Sequence, residues 1–160
     1  MSDHATTIAA LIEEICRDKN GEVNQSAKSL CLLYFSYCHA EDDAQDSMED
    51  GRLTVSNEFL LNTRLDLAFV YNHPFYVQHQ SFLFPVITMV LNEYADSVLF
   101  EKAPEPEKRA IADVIRCCGN NFFYAIALIC GGRQNMRRIS PVLRHLSWKL
   151  QHSDKPEDQF

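Results

Sequence analysis

The chain has 160 residues, 46% of them apolar and 23% charged, with a net charge of −7. These values suit one soluble globular domain large enough to bury a core, and they exclude a disordered, collagen-like or disulfide-scaffold chain. Five glycines and six prolines, with no run of short alternating segments between turn signals, point away from β architecture and toward an all-α fold.

Thr6 to Lys19 reads as the first helix, with Ile8, Leu11, Ile12 and Ile15 as its apolar stripe and Glu13 and Arg17 as an i,i+4 pair. Glu13 and Glu14 interrupt the apolar run, and no basic start precedes it, so the segment does not read as a signal peptide. Asn24 to Ala40 reads as a second, more buried helix. Its most apolar window, Ser29 to Cys38, is too short to cross a bilayer. Glu41 to Gly51, with six acids, reads as a solvated charged loop. It fails as a calcium loop, because Met48 and Asn57 fall where acidic ligands are needed.

Ser56 is placed to cap a third helix running to about Tyr71. Asn72-His73-Pro74 is a break, with His73 as a cap residue. Phe75 to Phe100 reads as helical, in two pieces or one kinked piece joined at Pro85. Pro104 to Gly132 reads as one long central helix. Ile111, Ile115, Cys118, Phe122, Ile126 and Ile129 form its inner face, and Arg109, Asp113, Arg116 and Asn120 its polar stripe. From Phe122 to Cys130 every residue is apolar or aromatic, so this half is expected in the core. A linker from Gly132 to Ile139 then leads to a last helix from Pro141 to about Gln151.

The expected architecture is a compact bundle of six or seven helices around a buried long helix, residues 104–131. Residues 1–152 form one domain, and 153–160 are read as a flexible acidic tail.

Signals for chemistry are sparse. The six cysteines form no C-x-x-C pair, have no histidine at zinc-finger spacing, and read as buried reduced thiols. Glu93 and Asp96 share a polar helix face with Thr88 and Asn92, which marks solvent rather than an acid/base pair. No Walker loop, G-x-G-x-x-G, G-x-S-x-G or H-E-x-x-H occurs. No cofactor or metal site is expected. A small metal-dependent hydrolase would have to bring Asp66 to His73 or His79.

Charge is segregated along the chain. Residues 1–132 carry nine Lys/Arg against nineteen Asp/Glu, a net of −10; residues 133–153 carry five basic residues and no acid; residues 154–160 add −2. In the last helix Ile139, Leu143, Leu146 and Leu150 form an apolar seam, which turns Trp148 to the opposite side. Arg144, one turn earlier, is in reach of the indole for stacking. The expected partner-binding residues are therefore Arg133, Arg137, Arg138, Arg144 and Trp148.

The leading functional expectation is a non-enzymatic interaction or adaptor module in the cytoplasm. It would meet an acidic protein surface or a second copy of itself, and would not enter a membrane. A viral or phage accessory protein is one source that fits. Nucleic-acid binding through 133–149 ranks behind it, because the acidic body would repel phosphates.

Overall fold

Every long apolar period of the chain is carried by a helix. The computed structural model describes residues 3–49 and 57–152. Among them α1 (Asp3–Ile15), α2 (Gln25–Glu49), α3 (Asn57–Asn72), α4 (Pro74–Gln78), α5 (Gln80–Glu101), α6 (Pro106–Ile115) and α7 (Asn120–His152) follow one another, with a 3-10 turn, Arg116–Gly119, between α6 and α7. No named strand occurs among these residues. The tail 153–160 and the expected cap at Ser56 lie outside them.

Helix α1 ends at Ile15, the last residue of its apolar stripe and short of the expected Lys19, because the next residues build a turn. The Asp18 carboxylate accepts from the Asn20 and Glu22 amides, and Gly21 takes a φ of 85°. Asn24 then caps α2, its Oδ1 accepting from the Ala27 N–H at 3.0 Å. The expected loop after Ala40 is instead helical through Glu49. Part of the reason is non-local: Asp42 is paired with Arg116, so this acidic turn has a cation to face.

The break between α4 and α5 lies at His79, not at Pro85, which sits inside the second turn of α5. Pro85 and Ser81 are both exposed, so the Ser81 carbonyl that loses its donor meets water. Among the described residues two stretches are, by length and composition, apolar enough to cross a bilayer, Gln80–Glu101 and Pro106–Lys149. The second is broken by a 3-10 turn and a chain reversal, and 39% of its apolar window is buried.

The expected single helix over 104–131 is a correction. The chain tightens into the 3-10 turn at Arg116–Gly119. Four residues at the 3-10 pitch turn the chain roughly 80° further than an α-helix would. The inner face is therefore not continuous. Ile111 on α6 is exposed, while Phe122 and Ile126 on α7 are fully buried. The polar stripe rotates as well: Arg109 and Asp113 stay outside, while Asn120 turns inward. Ala112 is the one buried residue of α6.

Helix α7 is an antiparallel hairpin of two arms. Gly132 takes φ 74° and ψ −172°, which no other residue type adopts easily. The arms fold onto each other so closely that Asn120 and Ser147, 27 residues apart, exchange hydrogen bonds of 2.9 and 3.2 Å. A straight helix would separate them by about 40 Å. The second arm starts directly after Gly132 and runs through Pro141, so the expected linker over 132–139 is helical too.

The core gathers around the first arm. The Phe122 ring stacks on Tyr34 of α2 at 3.9 Å, and Phe123 meets the same tyrosine edge-on at 5.6 Å. Ile12 and Ile15 of α1, Leu30 and Cys31 of α2, Tyr76 of α4, and Leu83 and Ile87 of α5 belong to the same cluster.

Candidate interaction surface

The rotation of the second arm of α7 is set by its apolar seam. Ile139 and Leu143 are buried and Leu146 is half-buried, as the spacing predicts; the Leu150 side chain lies outside the described set. Asn135 shares this buried side. Its Nδ2 donates to the carbonyls of Ile15 (3.0 Å), Arg17 (3.3 Å) and Glu14 (3.4 Å), which closes the open C-terminus of α1. Nearby, α7 runs so close to that turn that a Cβ at Gly131 would lie 2.6 Å from the Arg17 carbonyl oxygen.

On the opposite side Arg133, Arg137, Arg144 and Trp148 recur at steps of four, seven and four, which places them in one stripe. All four are exposed, with Trp148 at 49%. Pro141, Val142, His145 and Lys149 are exposed around them. No acidic residue occurs between Arg133 and Ser153.

Two of the expected arginines have other neighbours. Arg138 bridges to α1: it donates to Glu14 Oε2 at 2.7 Å, to the Glu14 carbonyl, and to Asn135 Oδ1. Its primary work is bracing α1. Arg144 lies 5.6 Å over the Tyr124 ring of the first arm. The hairpin brings Tyr124 there, as the Tyr124 hydroxyl bond to the Ser140 carbonyl shows. Glu13 is likewise paired with Lys28, and Arg17 with Glu14, not with each other.

A groove of 980 Å³ runs between α2 on one wall and α5, α6 and the 3-10 turn on the other, with Asn120 and Ser147 also in its lining. Tyr34, Tyr37, Tyr94 and Phe123 supply much of its lining. Arg116 sits at its centre. Its guanidinium donates to Asp42 at 2.8 Å and to Glu101 at 3.1 Å, 5.3 Å from the Tyr94 ring centre. Burial alone would lower its pKa; Asp42, Tyr94 and Glu101 more than offset that and leave it raised. Arg116 thereby ties three helices, a role its expected place on a solvent stripe did not signal. The rim carries Glu41, Asp42, Glu101 and Asp113 against Arg109 and Arg116.

The groove offers no activated nucleophile. Burial pushes the Cys38 thiol up to about 12 and Cys118 to about 11, and it raises the Tyr37 and Tyr94 hydroxyls. Cys16 and Cys31 are fully buried, with sulfurs 3.8 Å apart, and all six cysteines are free thiols. His73 acts as a cap: its Nδ1 accepts from the Phe75 N–H at 3.2 Å, and burial lowers its pKa. The His79 ring packs on Phe75 at 4.6 Å. Glu93 accepts from Asn121, and Asp96 from Asn92. Among the described residues no three His, Cys, Asp or Glu side chains are placed to hold a metal ion.

No family model, curated protein or solved structure matches this chain.

Proposed function

We propose that this protein is a non-enzymatic interaction module that meets an acidic protein surface through the outer side of the second arm of α7. One observation carries the reading: Arg133, Arg137, Arg144 and Trp148 form a single exposed stripe on a segment without acids. Tryptophan and arginine are the residues most enriched at binding hot spots, and a cationic stripe speeds encounter with an anionic partner. Arg138 belongs to the brace on α1, with its exposed edge at the margin of the surface. The six free thiols suit a reducing compartment such as the cytoplasm.

Nucleic-acid binding through 133–149 ranks second. The same stripe favours it, but the acidic body, residues 1–132, would repel a phosphate backbone. A small hydrolase using Asp66 with His73 or His79 ranks third: His73 Nδ1 caps α4, the His79 ring packs on Phe75, and no specific observation favours the reading.

The test is in-cell photo-cross-linking from position 145, beside the stripe, with position 88 on α5 as control. Adducts should form from 145 well above the control, and Trp148→Ala with Arg137→Glu should remove most of them. Adducts no more frequent than from position 88 would refute the surface. Adducts to nucleic acid rather than protein would move the second reading into first place.

A further inference from the structure

The second arm of α7 completes the body through its inner side, and a single residue joins it to the first arm. We infer that this arm is exchangeable: two copies of the chain open at Gly132 and trade their second arms, giving a two-fold, arm-swapped dimer. The exchange uses the inner side of the arm, so it does not depend on the proposed role of the outer stripe.

The helix Asn120–His152 departs from helical angles at Gly132, with φ 74° and ψ −172°. That region is open essentially to glycine alone. No linker separates the arms, so the whole reversal rests on one backbone conformation. Turning Gly132 to a helical φ of about −63° joins them into one helix about 50 Å long. Every backbone group around the hinge then has its regular i,i+4 partner. A short hinge without slack is a common setting for exchange between protomers, because opening relieves it while the contacts are remade by the other copy.

What the second arm gives the body can be given equally by the arm of another copy. Asn135 Nδ2 donates to the carbonyls of Glu14, Ile15 and Arg17, and Arg138 pairs with Glu14. Ile139 and Leu143 enter the core. Across the hairpin Ser147 and Asn120 exchange hydrogen bonds, and the Tyr124 hydroxyl donates to the Ser140 carbonyl. The midpoints of these two pairs fall at or just past Gly132. Two opened α7 helices, laid antiparallel about a two-fold axis at the hinge, therefore remake both pairs twice. In the monomer the arm is tethered beside its own site, which favours closure at low concentration. The dimer relaxes two hinges and gains with concentration. Because the arm must leave the core to be traded, exchange takes place during refolding rather than on mixing native protein.

The test is refolding of the full chain from denaturant at low and high protein concentration, followed by sedimentation. It is run on the native sequence, on Gly132→Ala, and on a chain with a flexible Gly-Ser insert after Gly132. Alanine disfavours the positive φ yet suits a continuous helix, and a Cβ there meets nothing nearer than Lys19 Cε at 3.7 Å. Each dimer holds two hinges, so Gly132→Ala should lower the dimer dissociation constant roughly tenfold or more. The loosened hinge should leave a monomer. Asn120→Cys with Ser147→Cys, added to Gly132→Ala and to the native sequence, is then oxidised and run on a denaturing, non-reducing gel. Dimer fractions should link chain to chain, and monomer fractions within one chain.

A monomer at every concentration in both the native sequence and Gly132→Ala overturns the inference. So does a dimer that survives the loosened hinge, or one whose 120–147 links stay within a chain. If Gly132→Ala does not refold, the native sequence decides alone: a dimer linked between chains supports the exchange, and a monomer at high concentration overturns it. The outer stripe is judged separately, by cross-links from position 145.

Discussion

Asn135→Ala is the perturbation whose cost follows most directly from the geometry. In the native protein one amide group serves three carbonyls at the end of α1. The Glu14 carbonyl keeps a second donor in Arg138 after the substitution. The Ile15 and Arg17 carbonyls lose the amide in a site where Asn135 is only 8% exposed. A buried acceptor left without its donor costs about 1 kcal/mol or more, so the two together cost roughly 2–3 kcal/mol. For a domain of this size that corresponds to a fall in melting midpoint of roughly 5–10 °C. Arg138 also loses an acceptor in Asn135 Oδ1, which adds to the effect. Asn135→Asp should cost at least as much, because it sets a carboxylate oxygen against three carbonyl oxygens. Thermal melts followed by circular dichroism read both. A shift below about 1 °C for both variants would show that water closes α1 equally well and that the cap argument is wrong.

Ile126→Ala removes a fully buried side chain beneath the Tyr34–Phe122 stack and should cost roughly 2–5 kcal/mol in denaturant unfolding. Gly131→Ala should be far more harmful than Gly119→Ala: a new Cβ would stand 2.6 Å from the Arg17 carbonyl oxygen at the first site, but 3.8 Å from the Cys38 sulfur at the second. Equal melting points for the two variants would contradict this. The hydrogen bond from Arg17 holds Glu14 below the usual carboxyl range, against the opposing effect of burial, with Arg138 adding to the depression. A depressed carboxylate stabilises above the unfolded value of 4.5 and loses that contribution as pH falls through the folded value. The melting point should therefore fall less between pH 5 and pH 3 in Glu14→Gln than in the native chain. Thiol reagents should label the native protein slowly and the unfolded protein fast, because burial raises the thiols of Cys31, Cys38, Cys117, Cys118 and Cys130.

The helical class was legible because the apolar periods are long and few glycines interrupt them. The core role of Phe122 and Ile126 was legible for a simpler reason: a segment without polar residues has nowhere to go but inside. The seam of Ile139 and Leu143 was legible too, and with it the outward turn of Trp148. Features decided by distant residues were not. Cys117, Cys118 and Gly119 are compatible with either helix pitch, so the change of pitch left no periodic trace and Ile111 was assigned to the wrong side. The acidic turn after Ala40 resembled a loop because its counter-charge, Arg116, lies 74 residues away. Asn135 offered no signal at all, since a single asparagine in a helix reads as surface until the three carbonyls it meets are in view. The i,i+4 spacing of Arg144 and Trp148 suggested a local stack, but it gave no sign of the non-local ring, Tyr124, that the reversal at Gly132 brings to Arg144.

The closure of α1 by Asn135 also has a consequence in time. The bond to the Ile15 carbonyl spans 120 residues of sequence. At about 5–20 residues per second, the 120 residues between Ile15 and the residue that closes α1 take roughly 6–24 seconds to synthesise. Through that interval Ile12 and Ile15 lack the arm they pack beside. A chain stopped at Gly132 is therefore not a smaller version of this protein; its first helix is unfinished and its apolar side is open to aggregation. The second arm of α7 completes α1, so the surface carried on that arm comes into being in the same step that seals the body beneath it.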